Sequence, residues 1–406
     1  MKKIKNLALW EKLLVAIFIG IVLGFISPSG AELISPIGDI FLRLLKMLIV
    51  PLVFFSITSG ICKMGDVKQL RTVGSRYILW IIISAILAAL VGVVAALIVQ
   101  PGKGTTEFLS ETQAGAAVKY SFIENVINWF PTNIVEAFVN AEMIQIIVFC
   151  MFLGVSLLAL GDKVRVLIDL IDQGSEAMLK ITEFIMELSP IGILSLMATM
   201  VSTISGAMMK EIAVFLILDI VACFLLLALI YPLIIKLFAK LSISKFVKKI
   251  TSVVLVAIST TSSAATLPVS MKTAEEDLGI PENVYGFTLP LGNTCGMTGF
   301  ALFVGLICVF ASNLYGFDIT VGGILQFVFL GMILSIGAAG VKGAGIVMST
   351  VLLETLGMPL TLVPVLAAVW PIIDPAHTVL NNVGDVCGTV IVAKRLNLMD
   401  IEKYEK

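Results

Sequence analysis

Long apolar runs recur along the whole chain, and most of them contain few charged residues. A helix needs about 20 consecutive apolar residues to cross the hydrocarbon core of a bilayer. Runs of about this length or longer lie at 10–28, 38–62, 76–100, 125–161 (broken at Pro131), 165–203 and 211–238. Charged residues make up 14% of the 406 residues, against about 25% in soluble domains. The sequence therefore predicts an all-α polytopic membrane protein.

Charge and cysteine content argue against several other classes. The net charge is -1 at pH 7, so no nucleic-acid partner is expected. The six cysteines show no Cys-x-x-Cys spacing, which argues against a disulfide framework or a zinc site. The first apolar run, Leu13 to Ile26, has the length of a signal-peptide core. Glu11 and Lys12 flank it and no small-x-small cleavage site follows, so a first membrane helix is the better interpretation.

The apolar pattern changes after about residue 240, where shorter and interrupted pieces replace the long runs. The stretch 244–273 rises to a hydroxyl-rich tip at 259–263 and then returns to charged residues. Neither half is long enough to cross a bilayer, so this stretch predicts a re-entrant hairpin. Segment 284–311 is apolar at both ends but is broken by glycine and polar residues at 292–299.

The same arrangement occurs a second time. A second hairpin, 321–353, turns in the glycine-rich run 337–345, and a last helix covers 361–393. Eight crossing helices, with each hairpin returning to its own side, leave both termini and most basic loop residues in the cytoplasm, as the positive-inside rule requires. The units 244–311 and 321–393 then enter from opposite sides. Such an inverted repeat predicts a binding site near the middle of the membrane.

One face of the last helix is polar. At about 100° per residue, five side chains fall within an arc of about 100°: Asp374, His377, Thr378, Asn381 and Asp385. A carboxylate at mid-membrane costs about 2.5 kcal/mol or more, and this helix has no basic residue before Lys394. A functional role is therefore expected for this face. His377 alone has a structural alternative, which is to cap carbonyls freed near Pro375.

Two other segments of the predicted membrane region have polar groups that could bind an anion or a cation. The hydroxyls at 259–263 either satisfy nearby backbone groups or help to cradle an anionic group, because half-helix N-termini present free N–H donors. The broken, oxygen-rich backbone at 292–299 suits a hard monovalent cation.

These motifs resemble the glutamate/neutral amino acid transporter family, the dicarboxylate/amino acid:cation symporters, over nearly the whole chain. The resemblance is carried by Met47–Ile57, Ser262–Pro268, Pro290–Gly292, Asn381–Asp385 and Gly388–Lys394. It implies a homotrimer in the inner (plasma) membrane, in which a transport domain slides past a fixed scaffold like an elevator. The implied scaffold is 1–75 and 106–208, the implied transport domain is 76–105 and 209–396, and 397–406 is a cytoplasmic tail.

The resemblance also implies a site for an amino acid or a dicarboxylate between the hairpin tips and the last helix. Asp374 would bind an amino group, Asn381 and the first tip would bind the α-carboxylate, and the second tip would close over it. The implied substrate residues are Ser262, Ser263, Phe300, Gly340, Asp374, His377, Thr378 and Asn381. The implied cation residues are Gly292, Thr294, Gly296, Met297, Ser335, Ile336, Ala338, Asn381 and Asp385. No cofactor is expected beyond sodium or a proton as coupling ion.

The chain departs from this family at several positions. Gly296–Phe300 reads Gly-Met-Thr-Gly-Phe where relatives have Asn-Met-Asp-Gly-Thr, so an amide and a carboxylate that ligate sodium are absent. A hydroxyl pair of the third helix appears as Ile83–Ser84. His377 stands where acidic-substrate relatives have arginine, and Lys342 where proline is usual. Histidine titrates near pH 6.5. We therefore expect weak sodium dependence, proton coupling through His377 favoured by the carboxylates on its own helix face, and a neutral or moderately polar substrate.

Three alternatives stay open at this point. The first is a sodium-coupled symporter of dicarboxylates or acidic amino acids, and uncoupled transport is a variant of it. The second is an intramembrane hydrolase that uses Asp374 and Asp385, or a serine with His377. The two aspartates are about 16 Å apart on an ideal helix, which is too far for them to share a proton. The third is a channel, whose pore needs rings of equivalent groups.

Overall fold

The chain is mainly helical in the part described by the computed structural model, which comprises residues 9–63, 71–105, 127, 129–140, 142–203, 206–338, 344–358 and 362–405. No strand occurs among these residues. The longer helices are α1 Leu9–Ile26, α2 Pro28–Lys63, α3 Arg71–Val99, α4 Ile134–Val139, α5 Met143–Leu160, α6 Arg165–Glu187, α7 Ser189–Thr203 and α8 Gly206–Ala239. They continue with α9 Ile243–Lys249, α10 Thr251–Thr260, α11 Ser263–Lys272, α12 Glu282–Cys295, α13 Thr298–Tyr315, α14 Val321–Gly337, α15 Ala344–Thr355, α16 Val363–Arg395 and α17 Ile401–Glu405. The predicted all-helical fold is confirmed.

Helix α2 is longer than the predicted span 38–62, because it runs through Pro36 without ending. Proline removes a backbone N–H and its ring displaces the preceding turn. The hydroxyl of Ser195, on α7, bridges the opened turn: it donates to the Ile34 carbonyl at 2.6 Å and accepts from the Gly38 N–H at 3.0 Å. A neighbouring side chain thus replaces the missing helical bond, as is typical of proline in membrane helices.

Two predicted spans are divided differently in the structure. The run 125–161 is not helical at 129–133, around the predicted break at Pro131, and it is interrupted a second time between Val139, where α4 ends, and Met143, where α5 begins. The run 165–203 was predicted as one span, but it forms α6 and α7. The helical stretches Val148–Ile185 and Ser189–Ser202 meet at a bend of 58°. Pro190 lies in the first turn of α7 and cannot donate the N–H that a continuous helix needs.

In the described part of the chain, three helical segments are each long and apolar enough to cross a membrane: Thr72–Val99, Gly206–Ala239 and Glu282–Tyr315, the last being α12 and α13 together. The bent pair Val148–Ile185 with Ser189–Ser202 makes a fourth if it counts as one span. The most apolar window of Glu282–Tyr315 is 94% buried, against 44% for Thr72–Val99. The broken helix therefore lies inside the protein, whereas α3 has a face that can meet lipid. The count of eight crossing helices stays a prediction.

Helix α13 packs against α3 with almost no space between the two backbones. A Cβ on Gly92 would lie 2.2 Å from the Leu302 carbonyl oxygen, and one on Gly305 would lie 2.3 Å from that of Ala89. Small residues at such crossings let membrane helices approach closely. Apart from Asn313, every residue of α13 is buried, so this helix forms the centre of the half that holds the broken helix.

The second half of the chain agrees with the predicted pieces. Helices α10 and α11 pack on each other and are joined by a tight turn at Thr261–Ser262, inside the predicted stretch 244–273. Helices α14 and α15 begin at Val321 and end at Thr355, close to the predicted hairpin 321–353, and the tip between them, 339–343, lies outside the described residues. Helix α16 is continuous although Pro371 and Pro375 lie within it. That the hairpins re-enter the membrane stays a prediction.

Candidate functional site

The break between α12 and α13 forms the centre of the site. Only Gly296 and Met297 separate the two helices, a narrower interruption than the predicted 292–299. A Cβ on Gly296 would lie 2.6 Å from Asp385 Oδ1 and 2.7 Å from the Gly292 carbonyl oxygen. No larger residue fits here without displacing its surroundings. The glycine thus lets the broken backbone approach a carboxylate of α16.

Asn381 ties α16 to the start of α13. Its Oδ1 accepts a hydrogen bond from the Gly299 N–H at 2.7 Å, and its Nδ2 lies 3.3 Å from Met297 Sδ. The first N–H groups of a helix have no partner within it, so Asn381 satisfies one of these donors from another segment. Asn381 was predicted to bind substrate and cation. The structure shows that its carboxamide oxygen also holds the broken helix.

Asp385 lies buried on the other side of the same break. Tyr77, from α3, points its hydroxyl at Asp385 Oδ1 and at the Asp385 carbonyl, with 3.4 Å to each oxygen. A Cβ on Gly292 would fall 2.3 Å from Asp385 Oδ1. The predicted cation residues Gly292, Gly296 and Asp385 are therefore brought together. Carboxylate, carbonyl and hydroxyl oxygens are the ligands that hard cations prefer.

The first hairpin tip reaches α16 through Ser263. Thr261 adopts the left-handed conformation (φ 48°), and the Ser262 hydroxyl caps α11 by accepting from the Ala265 N–H at 3.3 Å. The Ser263 hydroxyl accepts a 3.2 Å hydrogen bond from Asn382 Nδ2. The predicted tip thus lies at a half-helix N-terminus beside the polar helix.

His377 has a different partner from the one predicted. The carboxylates of its own helix face, Asp374 and Asp385, were expected to favour its charge. In the structure, its Nε2 lies 2.9 Å and 3.0 Å from the two carboxylate oxygens of Asp219, on α8. Both side chains are almost fully buried, at 3% and 0% exposure. The nearest carboxylate comes from another helix because the imidazole points sideways into the bundle.

Aromatic rings surround this buried pair. The His377 ring lies edge-on to Trp370 at 5.4 Å and to Phe303 at 5.8 Å, between ring centroids. Phe300, a predicted substrate residue, is buried and contacts both of these rings. His377 Nδ1 is buried and has no hydrogen-bond partner among the described residues. The imidazole therefore sits in an apolar environment with one polar neighbour.

Asp219 and His377 also form, with Cys223, a group of three potential metal donors in the described part of the chain. Their donor atoms all lie within 4.8 Å of one another, and all three residues are buried. Tetrahedral metal sites bring a fourth ligand and a partner for the second histidine nitrogen. Because His377 Nδ1 has no such partner there and Nε2 already contacts Asp219, the trio fits a hydrogen-bonded pair better than a metal site.

Comparison with known proteins identifies the family. A family model described as the sodium:dicarboxylate symporter family matches residues 9–395. The chain belongs to this family. It is 30% identical to the C4-dicarboxylate transport protein of Bacillus subtilis (strain 168), over 99% of this chain and 96% of the relative. It is also 30% identical to the proton/sodium-glutamate symport protein of Geobacillus stearothermophilus, over 93% of both chains, and to the proton/glutamate-aspartate symporter of Escherichia coli (strain K12), over 100% and 97%.

Membership of the sodium:dicarboxylate symporter family decides between the functional classes. The chain is a multi-pass membrane transporter and not an enzyme, so the hydrolase alternative is wrong. The aspartates on which that alternative rested lie on one continuous helix, α16. A symporter family also favours a carrier over a channel. Coupling to sodium or protons is plausible on the same grounds.

The remaining predicted residues of this family member are placed as follows. Asp374 is only partly buried, whereas Thr378, one turn further along α16, is buried. The Thr294 hydroxyl donates to the Pro290 carbonyl within its own helix, and the Ser335 hydroxyl donates in the same way to Met332. These bonds leave the oxygens able to accept from or ligate a second group. Ile336 and Ala338 close the end of α14, while Gly340 and Lys342 lie outside the described residues.

Sequence reasoning missed three residues that contact the predicted site: Asp219, Tyr77 and Asn382. Asp219 gave a usable signal, since it is the only charged residue between Glu211 and Lys236 in an apolar run. An ionisable residue inside a membrane span indicates a functional partner. Tyr77 and Asn382 gave no comparable signal.

Proposed function

We propose that this chain is a secondary active carrier that moves an amino acid across the membrane together with a cation. The observation that carries the proposal is the distribution of charge on α16. His377 is hydrogen-bonded to the acidic side chain of Asp219, whereas Asp374, one turn before it on α16, is partly exposed and acidic. The charge that α16 presents to a substrate is therefore anionic. An ammonium group is its natural counterpart.

The rest of the amino acid would be held by groups that already converge on α16. The N-terminus of α11 at Ser262 and Ser263 offers backbone N–H donors to an α-carboxylate. Thr378 lies on the same face, and Phe300 supplies apolar surface nearby. The second hairpin, with Gly340 at its tip, would close the site.

The coupling cation follows from what remains at the helix break. Gly296 and Thr298 leave Asp385 as the single carboxylate there, so a sodium site would have reduced charge compensation. A proton taken up by His377 would be stabilised by the Asp219 carboxylate that contacts it, so the pair could carry a proton together with the substrate. We therefore favour a proton over sodium as the coupling ion. Thr294, Met297, Ser335, Ile336 and Ala338 form the alternative set for a second cation.

The transport cycle would be of the elevator type, with 1–75 and 106–208 as scaffold and 76–105 and 209–396 as the moving domain. The packing supports this division in part: α1 and α2 contact α7, while α3 contacts α13, α14 and α16. A homotrimer in the plasma membrane with both termini in the cytoplasm is part of the same proposal.

A second candidate is a symporter of dicarboxylates or acidic amino acids. It is favoured by the 30% identity to the C4-dicarboxylate transport protein of Bacillus subtilis. The two candidates differ in whether the substrate carries an ammonium group and a second carboxylate.

Uptake into proteoliposomes tests the proposal. Purified protein is reconstituted and given labelled neutral amino acids, aspartate, glutamate and succinate, under an imposed proton gradient or an imposed sodium gradient, each applied alone. We expect saturable, proton-driven uptake and counterflow of a neutral amino acid. Sodium-driven uptake of succinate without uptake of any amino acid would establish the second candidate instead.

A further inference from the structure

The inference concerns Asp219 and the charge that it removes from the site. Its carboxylate contacts His377 Nε2 through both oxygens, at 2.9 Å and 3.0 Å, and has no exposed surface. These two residues are 158 positions apart in the chain, so the contact is made by the tertiary structure. The contact changes the charge that the His377 imidazole presents to any group that binds next to it.

The Asp219 carboxylate is the group that can balance a positive charge on the buried imidazole. With the imidazole charged the pair has no net charge, and with the imidazole neutral it is negative, so in neither state does it present a net positive charge. Among the described residues that face His377, α13 presents Phe303, and α8 presents Cys223 besides Asp219. On α16 itself, Asp374 and Asp385 are both acidic. The pair thus adds no positive charge to this face of α16.

The position of the pair determines what it can select. Residues three apart on a helix lie about 5–6 Å apart between Cβ atoms, so a substrate whose ammonium group binds Asp374 places its side chain beside His377. A second carboxylate on that side chain would find no free positive charge among the residues that the structure describes there. His377 Nδ1, buried and without a partner among the described residues, offers one hydrogen bond instead. A buried polar atom left unpaired costs about 1–3 kcal/mol, so a substrate oxygen would satisfy it.

We infer that Asp219 is a specificity-determining residue: it neutralises His377, and the subsite therefore accepts an uncharged polar side chain and excludes a second carboxylate. The inference rests on the proposed function as an amino-acid carrier. It commits to a hydroxyl- or carboxamide-bearing neutral amino acid, such as serine, threonine, asparagine or glutamine. It also predicts an unusual result: removal of the acidic residue Asp219 should improve the binding of acidic substrates.

Competition binding to four purified proteins tests this prediction. They are the wild type, Asp219→Asn, Asp219→Asn with His377→Arg, and Cys223→Ala as a control buried beside the pair on the same helix. Wild type should bind the neutral amino acids and bind aspartate poorly at all pH values. Asp219→Asn should bind aspartate at least about tenfold better at about pH 5.5, and the gain should fade by about pH 8 as the freed imidazole loses its proton. With His377→Arg added, the gain should persist at high pH because guanidinium stays charged.

Three outcomes would overturn the inference. The first is an unchanged ratio of aspartate to serine affinity in Asp219→Asn at low pH. The second is an equal gain in Cys223→Ala, which would assign the effect to altered packing. The third is strong aspartate binding by the wild type. If Asp219→Asn does not fold, the double variant Asp219→Asn with His377→Gln keeps a neutral hydrogen-bonded pair and must show no gain at any pH. A wild type that binds no amino acid contradicts the proposed function itself.

Discussion

Asp374→Asn removes one charge from the partly exposed end of the polar face and keeps the size of the side chain. Truncating one partner of a buried charge pair costs about 2–5 kcal/mol. Asp374 is only partly buried, so water compensates part of the loss. We therefore expect about 2–3 kcal/mol, which weakens the binding of an amino acid by about 30- to 160-fold.

The assay is isothermal titration of detergent-solubilised protein with the best neutral amino acid from the uptake screen. Asp318→Asn, in the exposed loop between α13 and α14, is the matched control and should bind like the wild type. Size-exclusion chromatography shows whether each variant keeps the oligomeric state. Unchanged affinity in Asp374→Asn would refute the reasoning, because the ammonium group of the amino acid would then be bound by groups other than the Asp374 carboxylate.

Three further predictions address the coupling ion and the framework of the site. His377→Gln should flatten the pH dependence of substrate binding between about pH 5 and 8, measured in sodium-free choline buffer and in sodium buffer. Steep sodium dependence with a flat wild-type pH profile would contradict proton coupling. Gly296→Ala should displace Asp385 and lower the free energy of unfolding by about 1–3 kcal/mol, with loss of uptake. A fully active, equally stable variant would show that the break has room for a side chain. Ser263→Ala should cost about 0.5–1.5 kcal/mol through its lost hydrogen bond with Asn382, which thermal unfolding measures, and no change would show that the contact contributes nothing.

The helices and their interruptions could be predicted because their causes are local. Length and apolarity of a run predict a membrane helix, and the glycines and polar residues at 292–299 predict an interruption within an apolar run. Errors arose where a distant residue decides the outcome. Helix α2 passes Pro36 because Ser195, on α7, bridges the opened turn. No sequence pattern around Pro36 predicts this contact with Ser195.

The candidate site shows the same division. Asn381 and Asp385 could be selected from their spacing on one helix, since the period of 3.6 residues places them on one face. The partner of His377 could not be selected from the sequence in this way. Helical spacing favoured the carboxylates of the same face as partners of His377. In the structure α8 packs against α16, and the imidazole contacts Asp219 instead. Which of several buried carboxylates meets a histidine is a property of the packed bundle.

Charge balance links the substrate to the cation. The Asp219–His377 pair contributes no net positive charge, and Asp374 and Asp385 are the two acidic side chains of the polar face of α16. The ammonium of an amino acid neutralises Asp374, and the N-terminus of α11 favours its α-carboxylate. Asp385 then still lies buried against carbonyls and the Tyr77 hydroxyl, and isolated buried charge is costly. A neutral amino acid thus leaves room for one additional cation at Asp385, sodium or a proton. An acidic one would bring a further negative charge to a site that has no free basic group among the described residues to receive it.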